Sequence, residues 1–237
     1  MFKQRARGSE FLDAPGGDPR LVEQSYRFMK LVNRIGGGIR VVREFFAREL
    51  PNVPKGKLVR VLDLGSADCD IPIAIARWAK ERGYNVEFTC LDHDPTATEL
   101  ARQAVARCHC DTIRVEQADI FRYQPAADFD YAMGSMFFHH FTNEEIHRLI
   151  ALLQGFVRKA LLVNDLHRCR LNYLVCYILT IPLDRRIQHD GLLSILRGFK
   201  PGELAQILRE HDPAAVVRRF WFCRVSGVAR FDRKGGQ

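Results

Sequence analysis

The chain has 237 residues and a formal net charge of +8. This length suits one α/β domain with helical additions and leaves little room for a second full domain. A hydrophobic content of 47% predicts an ordinary globular core, and no apolar run of about 18 residues predicts a transmembrane segment. The basic N-terminus lacks the apolar stretch of a secretory signal, so we expect a cytoplasmic protein.

The positive charge is open to two interpretations. A basic balance raises the chance of a nucleic-acid or anionic-membrane partner. The arginines are nevertheless scattered along the chain, and no lysine-rich block or RNA-binding signature accompanies them. We therefore favour a merely basic soluble enzyme and expect no nucleic-acid partner.

Seven cysteines occur, an odd number in a chain with no secretory signal, and free thiols are expected. Only Cys108-His109-Cys110 hints at a metal. A structural zinc needs four ligands, usually from paired spacings, and no second pair exists. We therefore predict no metal and interpret this cluster as the end of a helix and its following loop.

Residues 1–50 are predicted to form an N-terminal arm with cap helices, ahead of one α/β domain over 51–237. The first nineteen residues are polar and rich in Gly and Pro, which is typical of a loosely held arm. Apolar residues at helical spacing predict helices over 20–34 and 38–50, separated by a glycine-rich break.

From residue 51 a turn leads into alternating strands and helices. Strands are predicted over 57–64, 85–91, 112–117, 129–134 and 159–164. Helices are predicted over 71–82, 95–107 and 143–154, with Pro95 suited to a first turn and Thr142 to a cap. This alternation indicates βαβ units and a parallel sheet covered on both faces.

The last third of the domain is less regular. A very apolar helix is predicted over 168–183, a short helix or turn over 192–197, and a helix over 201–210. Residues 216–223 and 224–231 are predicted as two closing strands, an antiparallel pair after five parallel strands. The segment at about 166–200 then interrupts the alternation as a lid insertion.

Residues 63–70, which read DLGSADCD, follow the first predicted strand. A tight turn that runs directly into a helix brings a ligand close to the backbone at the positive helix end. The small residues Gly65, Ser66 and Ala67 allow that approach. The acids Asp63, Asp68 and Asp70 suit a cationic ligand better than a pyrophosphate.

This segment resembles the first motif of the class I methyltransferases that use S-adenosylmethionine (SAM), an acidic residue followed by GxGxG. Gly65, Ala67 and Cys69 stand where the family has three glycines, and an ordinary backbone conformation is expected at Cys69. The resemblance implies SAM as cofactor and a Rossmann-like α/β fold. It further implies a mostly parallel seven-stranded sheet with helices on both faces, N-terminal helices and a helical lid.

The resemblance also implies roles for residues at later strand ends. Asp92 would accept the ribose hydroxyls, since Asp94 is the better helix cap. Asp119 would bond the adenine amine, or is instead a solvated loop carboxylate, and Ile120 would pack on the ring. The predicted cofactor-binding residues are Asp63, Gly65, Ser66, Ala67, Asp70, Asp92, His93, Asp119, Ile120, Gly134 and Ser135.

Within this class the chain is most similar to a bacterial group related to the ubiquinone and menaquinone methyltransferases. The likeness lies at 32–34, 70–72, 138–141, 163–166 and 186–191. It implies methylation of a small molecule in secondary metabolism.

Methyl transfer to a hydroxyl requires a group that takes up a proton. Candidate bases are His139 and His140, just past the fourth strand, and His189 with Asp190, in a charged loop after the apolar helix. The His139-His140 pair could instead only shape its loop. By topology, residues 164–165 at the tip of the fifth strand face the same cleft.

The apolar residues of 171–183 suggest the acceptor class. We interpret them either as residues packed in the core or as an apolar lid that covers the acceptor pocket. The second interpretation predicts a lipophilic aromatic, quinol or polyketide acceptor, methylated on oxygen or carbon.

Two other functions remain open alternatives. An RNA-modifying methyltransferase is suggested by the charge, although Gly134-Ser135-Met136-Phe137 replaces the (N/D)PP(Y/F) motif usual in enzymes that methylate base amino groups. A non-catalytic SAM-fold binding protein is allowed by Ala67 and Cys69, because fold does not fix function. A nicotinamide dehydrogenase is disfavoured, since the turn lacks GxGxxG.

Overall fold

Strands joined by helical segments extend from residue 59 to residue 166, as the hydrophobic pattern predicts, and among the described residues three helices and two strands follow. The computed structural model describes residues 2–10, 18–221 and 223–231. The helices are α1 Pro19–Ile35, α2 Gly38–Glu49, α3 Asp70–Glu81, α4 Pro95–Cys108, α5 Asn143–Leu153, α6 Arg170–Thr180, α7 Arg185–Arg197 and α8 Pro201–Arg209. The strands are β1 Val59–Leu64, β2 Val86–Asp92, β3 Ile113–Gln117, β4 Phe129–Ser135, β5 Val157–Leu166, β6 Val216–Phe220 and β7 Arg224–Arg230. Within the described ranges, no helix combines the length and the apolar character needed to cross a bilayer.

The strands form one seven-stranded sheet in the order β3-β2-β1-β4-β5-β7-β6. The five strands β1 to β5 pair in parallel, and β7 runs antiparallel to both β5 and β6. The predicted Rossmann-like sheet is therefore confirmed, including its closing antiparallel strand. In such a sheet the carboxyl ends of the parallel strands meet along one edge, where ligands bind.

Side chains alternate between two cores, one on each face of the sheet. In β4, Tyr131 and Met133 pack into the core under α2, α3 and α4. Their neighbour Ala132 points into the core under α5 and α8. Both faces of the sheet are thereby covered, as expected for parallel strands.

The described part of the N-terminal arm is bonded to the domain, so the expectation of a loosely held arm is wrong for residues 2–10. The Arg5 guanidinium donates to the carbonyl oxygens of Arg197 at 2.8 Å and Phe141 at 2.7 Å. Glu10 is buried and accepts from the Ser194 hydroxyl at 2.7 Å. A single arginine with several carbonyl partners anchors the segment despite its polar composition. The Gly- and Pro-rich residues 11–17 lie outside the described residues.

The segment predicted as a lid forms the helices α6 and α7, and α7 is longer than predicted. Residues 186–191 are helical, whereas a charged loop was expected there. The Asp184 carboxylate caps α7 by accepting from the Arg186 backbone N–H at 2.9 Å. Gly191 lies within this helix and faces α6, since a Cβ added there would lie 3.1 Å from Cys176 Sγ. Close helix packing thus outweighs the low helix propensity of glycine.

Candidate active site

The turn between β1 and α3 keeps a glycine-like backbone although it holds only one glycine. Gly65, Ala67 and Cys69 all have positive φ, at 63°, 47° and 58°. The expectation of an ordinary conformation at Cys69 is therefore wrong. A left-handed conformation costs a non-glycine residue roughly 1–2 kcal/mol. The turn is held in place by bonds from the Gly65 N–H to Leu91 O and from the Ser66 hydroxyl to the Asp63 carbonyl, at 2.8 and 2.9 Å.

Above this turn lies a cavity of about 670 Å³ at the carboxyl ends of the parallel strands. Its volume is within the range of small-molecule sites. The predicted cofactor residues that line it are Asp63, Gly65, Ser66, Ala67, Asp70, Asp92, His93, Asp119, Ile120 and Ser135. Gly134 is not part of this wall. It lies against an aromatic ring, since an added Cβ would come 2.7 Å from Phe138.

Acidic side chains dominate the electrostatics of this cavity. Burial, with repulsion from Asp70 and Asp92, raises the pKa of Asp63 to about 8. Burial and the nearby charge of Asp68 raise the pKa of Asp70 to about 6. Burial also raises the pKa of Asp92. Lys30 pairs with Asp68 at 2.6 Å. These carboxyl groups fit a cationic ligand such as SAM, because a bound cation would favour their ionised forms.

Asp92 and Asp94 have different roles, and the prediction that Asp94 is the better helix cap is confirmed. Asp94 caps α4 by accepting from the Thr96 N–H at 2.8 Å. Asp92 instead accepts from the backbone N–H groups of Ala67 and Asp94, both at 3.0 Å. Asp92 therefore ties the motif turn to β2 while its carboxylate lines the cavity. Its role as ribose ligand remains a prediction.

Asp119 lies on the rim of the cavity. Its carboxylate is half-exposed, accepts from the Phe121 N–H at 2.9 Å and lies 3.8 Å from Arg122. Ile120 beside it is buried. Both residues line the cavity, and their contact with adenine stays a prediction.

A buried polar cluster faces the cavity from the other side. His139 Nδ1 lies 2.8 Å from Asp165 Oδ1, and both side chains are buried. Burial alone would raise the pKa of Asp165, but the charge and hydrogen bond of His139 hold it below its usual value. No described group is within hydrogen-bonding distance of His139 Nε2, and Glu10 Oε1 lies 3.7 Å from it. An imidazole held by a carboxylate at one nitrogen can accept a proton at the other.

Glu10 and Arg197 belong to this cluster, and the sequence analysis missed both. Arg197 Nη1 lies 3.2 Å from Glu10 Oε1. The two residues are 187 positions apart, so no local pattern connects them. Donor atoms of Glu10, His139 and His140 lie within 4.8 Å of one another. The Arg197 cation already occupies the carboxylate of this trio, which disfavours a metal ion there.

The Cys108-His109-Cys110 cluster is the end of a helix. Cys108 is the last residue of α4, and His109 caps it in a left-handed conformation at φ 48°. This placement agrees with the structural interpretation made from the sequence.

A second, apolar cavity of about 170 Å³ lies between α1, α6 and α7, and we call it the apolar chamber. It shares Glu10, Met29, Met136 and Ser194 with the larger cavity, so the two spaces adjoin. Met136 has a positive φ of 54° at this junction. Strained residues of this kind cluster at functional sites.

The remaining two candidate bases occupy different places. Asp190 is buried and lines the apolar chamber. The His189 side chain is 68% exposed and lines neither cavity. Of the four predicted catalytic residues, the structure therefore brings His139 and His140 to the large cavity and Asp190 to the chamber.

Comparison with known proteins agrees with this geometry. Residues 61–160 match a family described as a methyltransferase domain. No curated protein matches the chain by sequence.

Three solved structures have the same fold. The SAM-dependent methyltransferase SibL superposes with a TM-score of 0.66 and 18% identity, over 98% of this chain and 65% of SibL. The methyltransferase domain of the citrinin polyketide synthase gives a TM-score of 0.62 and 12% identity, over 82% of this chain and 52% of that one. The plantazolicin methyltransferase BpumL, solved with S-adenosylhomocysteine, gives a TM-score of 0.64 and 12% identity, over 91% and 95%.

The chain thus spans less than two thirds of the length of SibL. The matched segment 61–160 contains the motif turn, Asp92, Asp119 and the His139-His140 pair. Residues 61–160 therefore match a methyltransferase-domain family, and the chain has the fold of solved SAM-dependent methyltransferases such as SibL.

Proposed function

We propose that this protein transfers the methyl group of SAM to an oxygen or carbon of a small lipophilic acceptor. The observation that carries the proposal is the junction of the two cavities at Met29, Met136 and Ser194. A dry apolar cavity of about 150 Å³ can hold one benzene ring. The apolar chamber, at about 170 Å³, is therefore large enough for an aromatic or quinol ring beside the cofactor cavity.

SAM supplies a methyl group bound to a cationic sulfur. The carboxyl groups of Asp63, Asp70 and Asp92 line its cavity, and a bound cation would favour their ionised forms. The apolar chamber holds the acceptor next to that cavity, which replaces a bimolecular encounter by a fixed geometry.

His139 is the proposed base for a phenol or enol acceptor. Asp165 accepts a hydrogen bond from Nδ1–H and so fixes the tautomer with a lone pair at Nε2. The acceptor proton would move to Nε2, and the electron pair left on the acceptor would form the new bond to the methyl carbon. The methyl–sulfur bond of SAM would break with its electron pair going to sulfur, so that S-adenosylhomocysteine would be the leaving group. Proton removal of this kind contributes about 10²- to 10⁴-fold to a rate.

Two of the named neighbours have functions in small-molecule chemistry. One is a polyketide synthase domain and another acts on plantazolicin. At 12% identity they support the fold only, so the acceptor class rests on the apolar chamber. The relation to quinone methyltransferases and the cytoplasmic location are parts of this proposal.

The test is incubation with labelled SAM and a panel of lipophilic phenols, quinols and polyketides, followed by mass spectrometry. Products heavier by one methylene support the proposal. Gly191→Leu fills the chamber and should abolish turnover while leaving SAM affinity unchanged by calorimetry. Gly202→Leu is the matched control, because a Cβ at Gly202 meets nothing within 4 Å.

Two outcomes would replace the proposal. Transfer of label to RNA only, with steeply salt-dependent binding, would establish the RNA-modifying alternative. A protein that gives neither heat nor a thermal shift with SAM would be the non-catalytic binding protein.

A further inference from the structure

Helix α6 presents an apolar face to solvent. The outward side chains of this helix are Leu171, Leu174, Tyr177 and Ile178, and together with Ile181, which directly follows the helix, we call them the outer face. They are between 47% and 61% exposed. No charged residue occurs between Arg170 and Asp184. A surface helix normally carries polar residues outward, and a contiguous exposed apolar patch marks an interaction site.

The outer face continues to the opening of the apolar chamber. Leu179, from the same helix, is 38% exposed and lines the chamber. Ile35 from α1 and Trp221 also line it and are more than half-exposed. An apolar surface therefore surrounds the entrance through which a lipophilic acceptor would reach the chamber.

Positive charge borders this surface. Arg170 at one end of α6 is exposed, as are Arg185 and Arg186 beyond the other end and Arg34 next to Ile35. Asp184, the one acidic residue in 170–186, is paired with Arg186 at 3.1 Å. Apolar side chains flanked by arginines, with a tryptophan nearby, are typical of surfaces that lie in the headgroup region of anionic membranes.

The length of α6 excludes spanning and fits lying flat. Eleven residues rise about 16 Å, roughly half of a hydrocarbon core. From these observations we infer that the outer face of α6 docks on an anionic bilayer surface, which delivers the acceptor to the apolar chamber. The delivery step rests on the proposed function, whereas the docking does not.

The test is sedimentation of the full chain with vesicles, in the absence of SAM and acceptor. We expect binding to phosphatidylcholine vesicles containing phosphatidylglycerol and little binding to phosphatidylcholine alone. Leu174→Gln with Ile178→Gln should weaken binding about tenfold or more. Neither residue lines a cavity, so SAM affinity should be unchanged. Val216→Gln, an exposed apolar residue of β6, is the matched control and should bind as wild type.

Arg170→Glu with Arg185→Glu tests the charge separately. This pair should lower binding to the anionic vesicles by about tenfold or more and remove most of its salt dependence. Arg107→Glu, on the exposed part of α4, is the control.

Two results would overturn the inference. One is vesicle binding that is absent or insensitive to the outer-face variants. The other is a concentration-dependent dimer that the Leu174→Gln and Ile178→Gln pair abolishes, since a second copy would then cover the outer face. Because SAM and acceptor are left out, failure of docking leaves the methyl-transfer proposal untouched, and loss of SAM binding leaves docking untouched.

Discussion

Asp63→Asn should change how the stability of the protein depends on pH. The Asp63 carboxyl is 3% exposed and has a pKa of about 8 in the folded chain. In the unfolded chain its pKa is about 3.9. Because the folded state holds the proton more tightly, this group destabilises the fold as the pH rises from about 4 towards 8. This loss of folding stability is absent below the unfolded-state pKa and complete above the folded-state pKa.

The size of the effect follows from the pKa difference. Each pH unit between the two values costs about 1.4 kcal/mol, so wild type should lose on the order of 4 kcal/mol from this group between about pH 5 and pH 8. The asparagine cannot ionise and should escape that loss. Chemical denaturation at the two pH values measures the difference. Asp111→Asn, at an exposed carboxylate, is the control. Equal pH slopes for wild type and Asp63→Asn would refute the reasoning.

The protonation of the Asp63 carboxyl should also change when SAM binds. A bound cation favours the ionised form, so SAM binding near neutral pH should release a proton from wild type. Calorimetry in buffers with different ionisation enthalpies detects that proton. Asp63→Asn should abolish the release and weaken affinity about tenfold to a hundredfold, because it removes a charged partner. Proton release that persists in the variant would place the titrating group elsewhere.

Four further substitutions test the site. Gly65→Ala places a Cβ 2.3 Å from the Phe137 ring at a positive φ, so thermal denaturation should show a loss of about 1–3 kcal/mol and calorimetry a loss of SAM binding. Ala67→Gly relieves a left-handed alanine and should stabilise the chain by about 0.5–1 kcal/mol in urea titrations; a destabilised variant would contradict the strain. Asp92→Ala should weaken SAM binding about a hundredfold, and unchanged affinity would exclude it as ribose ligand. His139→Gln should slow methylation of a phenol about 10²- to 10⁴-fold with little change in SAM affinity, and an unaltered pH–rate profile would exclude it as base.

The repetitive part of the fold was predictable from the sequence because its signals are local. The alternating apolar runs predicted the strands and the helices that cover the sheet to within a few residues, and Pro95 and Thr142 marked the starts of two helices. Asp63, Asp92 and Asp119 occur at or just after the carboxyl ends of β1, β2 and β3. Because the carboxyl ends of parallel strands meet along one edge of the sheet, this pattern predicted that the three residues line one cavity.

The acceptor side was less predictable because long-range contacts build it. Glu10 meets Ser194 across 184 positions, and Arg5 reaches Phe141 across 136. No periodic pattern in the sequence signals either of these contacts. His189 was grouped with Asp190 because both were read as loop residues, and the helical geometry of α7 then turned their side chains to different environments. Only the tertiary packing of α7 on α6 decides which of them faces the chamber.

The left-handed residues of the motif turn have a consequence for how such proteins are recognised. Ala67 and Cys69 keep the handedness that glycine would adopt without strain, so fingerprint searches for three glycines pass over a chain whose loop has the same shape. Surrounding contacts, among them the Asp92 bond to the Ala67 N–H, offset a cost of roughly 1–2 kcal/mol per residue. Distant relatives can therefore exchange these glycines for small side chains and alter the chemistry of the pocket wall while the path of the chain stays the same.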